Sequence, residues 1–169
     1  MPNAHILVDA DACPVREEIV KVARRRRIPV TLVANQGFRP LADRLPDGRP
    51  LVSGVVVSDA FDAADDEIVR RAEAFVASGT CPVVVTADIA LAHRVLAGIE
   101  PRRSVLALAP DGREWTDANI GGAMATRAVM ADLRSGLDGM TGAFGGPKPF
   151  SKADRSQFLQ TLDRLLARP

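Results

Sequence analysis

HILVDADACPV, residues 5–15, decides how the rest of the chain is read. The short apolar run His5–Val8 stops at Asp9, and a second acid follows at Asp11. A run of that length closed by acids reads as a buried strand reaching its end. Pro14 then sits where a helix would begin, a place that tolerates its missing N–H. Val15, Ile19, Val22 and Ala23 keep the helical period, with Glu17 and Glu18 in the first turn and Arg24–Arg27 in the last. That charge order suits the helix dipole. Pro29–Ala34 (PVTLVA) reads as a second strand, so the chain opens strand–helix–strand.

The same alternation continues outward. Asn35–Pro50 is rich in Gly, Pro and Arg and reads as a loop or broken helix. Leu51–Val57, Val83–Thr86 and Ser104–Leu108 read as strands, and Asp62–Ser78, Ile89–Ala97 and Asn119–Arg134 as helices. Asp111-Gly112 suggests a tight turn or hairpin. Gly136–Pro149 is a Gly-rich loop before a last helix, Ser151–Ala167. Phe158, Leu159, Leu162, Leu165 and Leu166 form one stripe of that helix, and Ser151 with Asp154 resembles a capping box. It packs on the body or serves a dimer contact. The expected fold is a three-layer α/β domain over residues 1–169. Its sheet is mostly parallel and doubly wound, of about five strands, with a C-terminal amphipathic helix.

Composition narrows the classes. Of 169 residues, 47% are hydrophobic, enough for a real core, and 25% are charged, which argues against disorder. A net charge of +1 gives no bulk nucleic-acid coat. Arg supplies 19 of the 22 positive residues, which suits bidentate phosphate binding or reflects compositional bias. No stretch approaches the ~18 apolar residues of a membrane helix. The start lacks the charged and apolar regions of an export signal, so a cytoplasmic address and reduced Cys13 and Cys81 are expected. Aromatics are 4% with no Tyr, a poor basis for base stacking.

Ligands of open α/β sheets bind outside the carboxyl ends of the strands. Asp9 and Asp88 both stand there. An unpaired buried carboxylate is costly. It makes sense where a metal or a donor cluster meets it, although backbone N–H groups or a helix-capping role would also satisfy it. Hard oxygens without neighbouring His or Cys favour Mg²⁺ or Mn²⁺. Asp65 lies three and four residues before Ile68 and Val69, so it extends the stripe of Ala72, Phe75 and Val76 toward the same edge. Asp62 reads as an N-cap, and Asp66 as solvated and pairing with Arg70. Asp11 supports the metal ligands or caps the first helix. The candidate metal set is Asp9, Asp11, Asp65 and Asp88, with Asp9, Asp65 and Asp88 as catalytic carboxylates. Candidate substrate contacts are Asn35 at the end of the second strand, Asn119, Arg127 and Lys148 in the loop Gly142–Phe150. Arg127 shares a stripe with Ile120, Met124 and Ala131, which can bring it to the acids, to a phosphate or to solvent. Asn119 also suits a cap. Cys13 lies among acids that would raise its pKa, so it reads as a packing residue. His5 and His93 have no second ligand at metal spacing. Arg24–Arg27 reads first as a solvated helix end.

At these motifs the chain resembles the YaiI/YqxD family of small bacterial proteins. The matching segments are VDADACPV (Val8–Val15), DAADDEIV (Asp62–Val69), VVTADIALA (Val84–Ala92), NIGGAMATR (Asn119–Arg127) and GGPKPFSKADRSQFLQTLDRLL (Gly145–Leu166). The departure is at Ser78–Pro82, where the family's Gly-Asp turn is replaced. The resemblance implies a fold similar to PIN-like nuclease domains, which hold Mg²⁺ or Mn²⁺ with an acid after the first strand and a later T-x-D. Asp9 and Thr86-Ala87-Asp88 match those two places. The implied activity is metal-assisted phosphodiester hydrolysis, with RNA as the expected partner and no membrane. A non-catalytic PIN-like module that binds nucleic acid or protein is the alternative. A third reading is a small-molecule phosphatase with Asp9 as nucleophile and Asp11 as acid/base. Against it, the pair Asp65-Asp66 precedes Thr86, where such enzymes place their acid pair last.

Overall fold

Ile6, Leu7 and Val8 are wholly buried, the pattern of a strand covered on both faces. In the computed structural model, which describes residues 3–11, 13–37, 42–60, 62–101, 104–136 and 150–168, they belong to β1 (Ala4–Asp9) at the middle of the sheet. The other strands are β2 (Val30–Ala34), β3 (Val52–Val56), β4 (Cys81–Val85), β5 (Leu106–Leu108) and β6 (Glu114–Trp115). They run in the order β3-β2-β1-β4-β5-β6, and every pairing except β5–β6 is parallel. The chain winds outward from β1 to β3, then restarts at β4 on the other side. The topological switch therefore lies between β1 and β4, and ligands of such sheets bind beyond the carboxyl ends at the switch.

Alternation along β1 sorts the two faces. Ile6 and Val8 face α1 (Arg16–Arg26) and α5 (Lys152–Leu166), packing with Ile19, Val22, Phe158, Leu162 and Leu165. Leu7 faces the opposite layer of α2 (Ala63–Ala77), α3 (Ile89–Gly98) and the start of α4 (Asp117–Gly136), with Ile68, Leu91, Val95 and Ile120. Three layers result. Asp9, two residues beyond Leu7, shares that second face. The last helix packs on the body beside α1, opened by a capping box in which Ser151 Oγ accepts from the Asp154 N–H.

Four sequence expectations are corrected. The sheet has six strands, because β6 is only two residues long and too short to show a period. It forms where the Ala109–Arg113 turn folds back through Gly112. Asp62 stands at the N-cap position of α2 but makes no side-chain cap. Its left-handed backbone, φ 59°, departs from the extended form in which a cap side chain reaches the next N–H groups. Asp66 pairs with Arg94 at 2.6 Å, while Arg70 is taken by Glu67 one turn away. The helix begins at Arg16, so Pro14 lies just before it. Among the described residues, no helix is long and apolar enough to cross a membrane.

Candidate functional site

Asp9 ends β1 and Thr86 follows β4, so the adjacent parallel strands deliver both to the carboxyl edge at the switch point. Thr86 Oγ1 donates to Asp9 Oδ2 at 2.8 Å and accepts the Asp88 N–H at 2.9 Å. Asp88 is the N-cap of α3, its Oδ1 accepting from the Ala90 N–H at 2.7 Å. One hydroxyl, 77 residues along the chain from Asp9, thus fastens the two carboxylate-bearing segments. The T-x-D spacing has a physical role here: Thr86 is buried and oriented, and Asp88 turns outward into the site.

Asp65 enters from the first turn of α2. Burial pushes its carboxyl up to about 6, and repulsion from Asp88, Asp9 and Asp62 adds to this against the pull of Arg94. Burial likewise raises Asp9; the Thr86 hydrogen bond opposes it, and Asp11 and Asp88 reinforce it. These mutual effects place the acids in one electrostatic neighbourhood. Their consequence for stability has a definite sign. Unfolded, Asp65 titrates near ~3.9. Between roughly pH 4 and 6 the folded chain therefore holds more of its proton than the unfolded chain does. Asp65 lowers stability progressively as pH rises through that window. Asp65→Asn is expected to gain on wild type from pH 4 to 6, with a flat difference above. Urea unfolding in chelator at several pH values measures this. A constant difference would show an ordinary Asp65.

The remaining candidates fall in different places. Arg127 Nη1 on α4 donates to Asp88 Oδ1 at 2.6 Å, so a guanidinium already sits on the acid cluster. Asp11 Oδ2 accepts the Asn35 N–H at 2.8 Å, tying the end of β1 to the end of β2. Asn35 Oδ1 is buried with no hydrogen-bond partner among the described residues. Asn119 folds back locally, its Oδ1 accepting from the Thr116 N–H and its Nδ2 donating to Glu114 O, so both amide ends fasten the start of α4. Lys148 and residues 142–149 of its loop lie outside the described residues. Cys13 packs against the core, and burial pushes its thiol up to about 11, which excludes a ready thiolate. His5 stacks on Phe75 at 4.1 Å and meets Thr31 Oγ1 at 2.8 Å, so it serves the packing below the site. Arg94 was not legible as part of this region. Its influence on Asp65 comes from α3 packing beside α2, which spacing along one helix does not reveal.

The donor chemistry fits a hard divalent cation: carboxylate oxygens from three elements, with no His or Cys among them. As the side chains stand, no three acids, histidines or cysteines among the described residues close on one point as a metal cage. Asp88 Oδ1 is occupied by Arg127 and the Ala90 N–H, and Asp9 Oδ2 by Thr86. A cation at Asp88 Oδ1 would compete with the guanidinium.

Residues 7–168 match the sequence model of a family described as "Uncharacterized BCR, YaiI/YqxD family". The chain is similar to a UPF0178 protein of Sphingopyxis alaskensis, 52% identical over 163 residues that cover 96% of this chain and 93% of the relative. A UPF0178 protein of Jannaschia sp. is 48% identical, with 96% and 92% covered. One of Agrobacterium fabrum is 45% identical, with 98% and 95% covered.

Proposed function

The chain belongs to the YaiI/YqxD family, and from that premise we propose a Mg²⁺- or Mn²⁺-dependent phosphodiester hydrolase acting on RNA. The observation that carries this reading is that Asp9, Asp65 and Asp88, from three elements, act on one another at the switch point, where burial and repulsion raise Asp9 and Asp65. Thr86 and Arg127 satisfy one oxygen each of Asp9 and Asp88, and the repulsion that raises Asp9 and Asp65 is what a cation would relieve. Asp9, Asp65 and Asp88 would hold the ion, with Asp11 supporting the turn beside them. When bound, it would supply Lewis-acid stabilisation to the phosphodiester. Thr86 fixes the orientation of Asp9, and the Ala90 N–H that of Asp88. Arg127 would turn from Asp88 to a phosphate oxygen, the contact its planar fork suits.

One observation favours a second reading. Arg127 neutralises Asp88 from within the chain. A non-catalytic module that binds nucleic acid or protein needs no more than that.

Calorimetry with Mn²⁺ and Mg²⁺ on the intact chain separates the two. Binding that Asp9→Asn and Asp88→Asn both abolish is the expected result. Arg127→Gln removes the competing cation and should tighten binding by about tenfold, the worth of one modest charge contact. No binding at millimolar metal by either wild type or Arg127→Gln would end the hydrolase reading and leave the module.

A further inference from the structure

A second cavity, of about 310 Å³, lies at the other end of the sheet. Arg24, Arg27 and Arg44 form one side of it, with Asp43 as the single acid. Leu45, Pro46 and Leu51 complete the lining. Arg24 and Arg27 end α1 just before β2 begins, and Leu51 just precedes β3. The cavity therefore opens at the amino edge of the strands. The acids stand at the carboxyl edge, about 17 Å away along a five-residue strand.

Most of the positive charge at this helix end has an internal use. Arg24 donates to Asp43 at 2.6 Å, and Arg25 and Arg26 both hold Asp163. Arg44 Nη1 donates to Gly48 O at 2.9 Å. Each of these forks keeps further N–H groups for another acceptor. Arg27 differs: among the described residues its side chain has no hydrogen-bond or ion-pair partner. It also holds a left-handed backbone, φ 56° and ψ 40°, while its N–H closes the helix on Ala23 O. Glycine performs that closure without steric cost. The fold therefore needs the backbone of residue 27 and not its guanidinium: any Cβ there carries the left-handed cost, and this one bears a guanidinium that lines the cavity. Strain kept with an unpaired functional group is a pointer to function.

We propose that this cavity binds a nucleoside monophosphate. Three guanidiniums against one carboxylate select an anion, and the planar forks match phosphate oxygens. Exposed Pro46 gives an apolar edge for the flat part of the ligand, with Leu45 and Leu51 buried behind it. The volume lies at the small end of ligand sites, about 300–1,000 Å³. This site stands apart from the proposed hydrolase and does not depend on it.

The test is calorimetry of the intact chain with AMP and with inorganic phosphate, without divalent metal, on wild type, Arg27→Gly and Asp9→Asn. AMP is expected to bind more tightly than phosphate, and Arg27→Gly to weaken it at least tenfold while melting at the same or a higher temperature. Asp9→Asn should bind AMP as wild type does. The proposal is overturned by no AMP binding at millimolar concentration, by phosphate binding as tightly as AMP, or by equal affinity in Arg27→Gly. Loss of binding in Asp9→Asn would also overturn it by placing AMP at the acids.

Discussion

Asp9→Asn is expected to lower the proposed RNA hydrolysis by roughly three orders of magnitude or more, and to leave the chain at least as stable as wild type. Two opposite effects of one carboxylate lie behind this. For the reaction, Asp9 is the acid at the end of the central strand, held in place by Thr86. An amide keeps the acceptor for that hydroxyl but loses the charge that would hold a cation. For the fold, the same charge is unfavourable: burial raises the Asp9 carboxyl, with Asp11 and Asp88 adding to it. Removing a repelled charge while keeping its hydrogen bond relieves the folded state. Cleavage of a labelled RNA at saturating Mn²⁺ reads the first effect, and urea unfolding in chelator reads the second. Activity lost together with stability would make Asp9 a structural anchor. Activity retained would remove Asp9 from the chemistry.

That pairing of roles was partly legible in the sequence. An apolar run that stops at an acid can be read directly, because burial and charge conflict within a few residues. This located Asp9 and Asp88 at strand ends. The direction of Asp65 followed from its spacing to Ile68 and Val69, since both lie on the face of α2 that meets the sheet. What could not be read were relations set by packing between distant elements. The Arg94–Asp66 pair joins α3 to α2, and the local rule of i,i+4 pairing pointed to Arg70 instead. Arg127 could be placed on a stripe that reaches the acids, yet its partner, 39 residues earlier, depended on where α4 crosses α3. The positive φ of Asp62 is a backbone choice that its N-cap preference concealed. Local signals thus placed the acids, and only the fold showed how far the chain already neutralises them.

Gly112→Ala is expected to destabilise the chain by about 2–4 kcal/mol, combining the cost of a left-handed alanine with that of overpacking. Gly112 has φ +86°, and a Cβ there would lie 2.5 Å from Gln157 Cγ and 2.7 Å from both the Gln157 carbonyl carbon and the Phe158 nitrogen. The side chain of Gln157 can move aside, but the backbone of α5 cannot do so cheaply. Phe158, Leu162 and Leu165 are wholly buried, and Arg168 holds Glu114 of β6 at 2.7 and 2.9 Å. If the hairpin yields instead, it carries the start of α4, which Asn119 fastens to Glu114 O, and with it the helix that presents Arg127 to Asp88. Strain at this turn is therefore transmitted either to the core under α5 or to the acid site. Gly121→Ala is the matched control. It lies in α4, where among the described residues nothing beyond its own stretch of helix comes within 4 Å of an added Cβ, and should be neutral or stabilise by up to about 1 kcal/mol. Urea unfolding of both variants gives the comparison. A loss below about 1 kcal/mol for Gly112→Ala, less than the backbone cost alone, would show that the hairpin and α5 slide past each other freely.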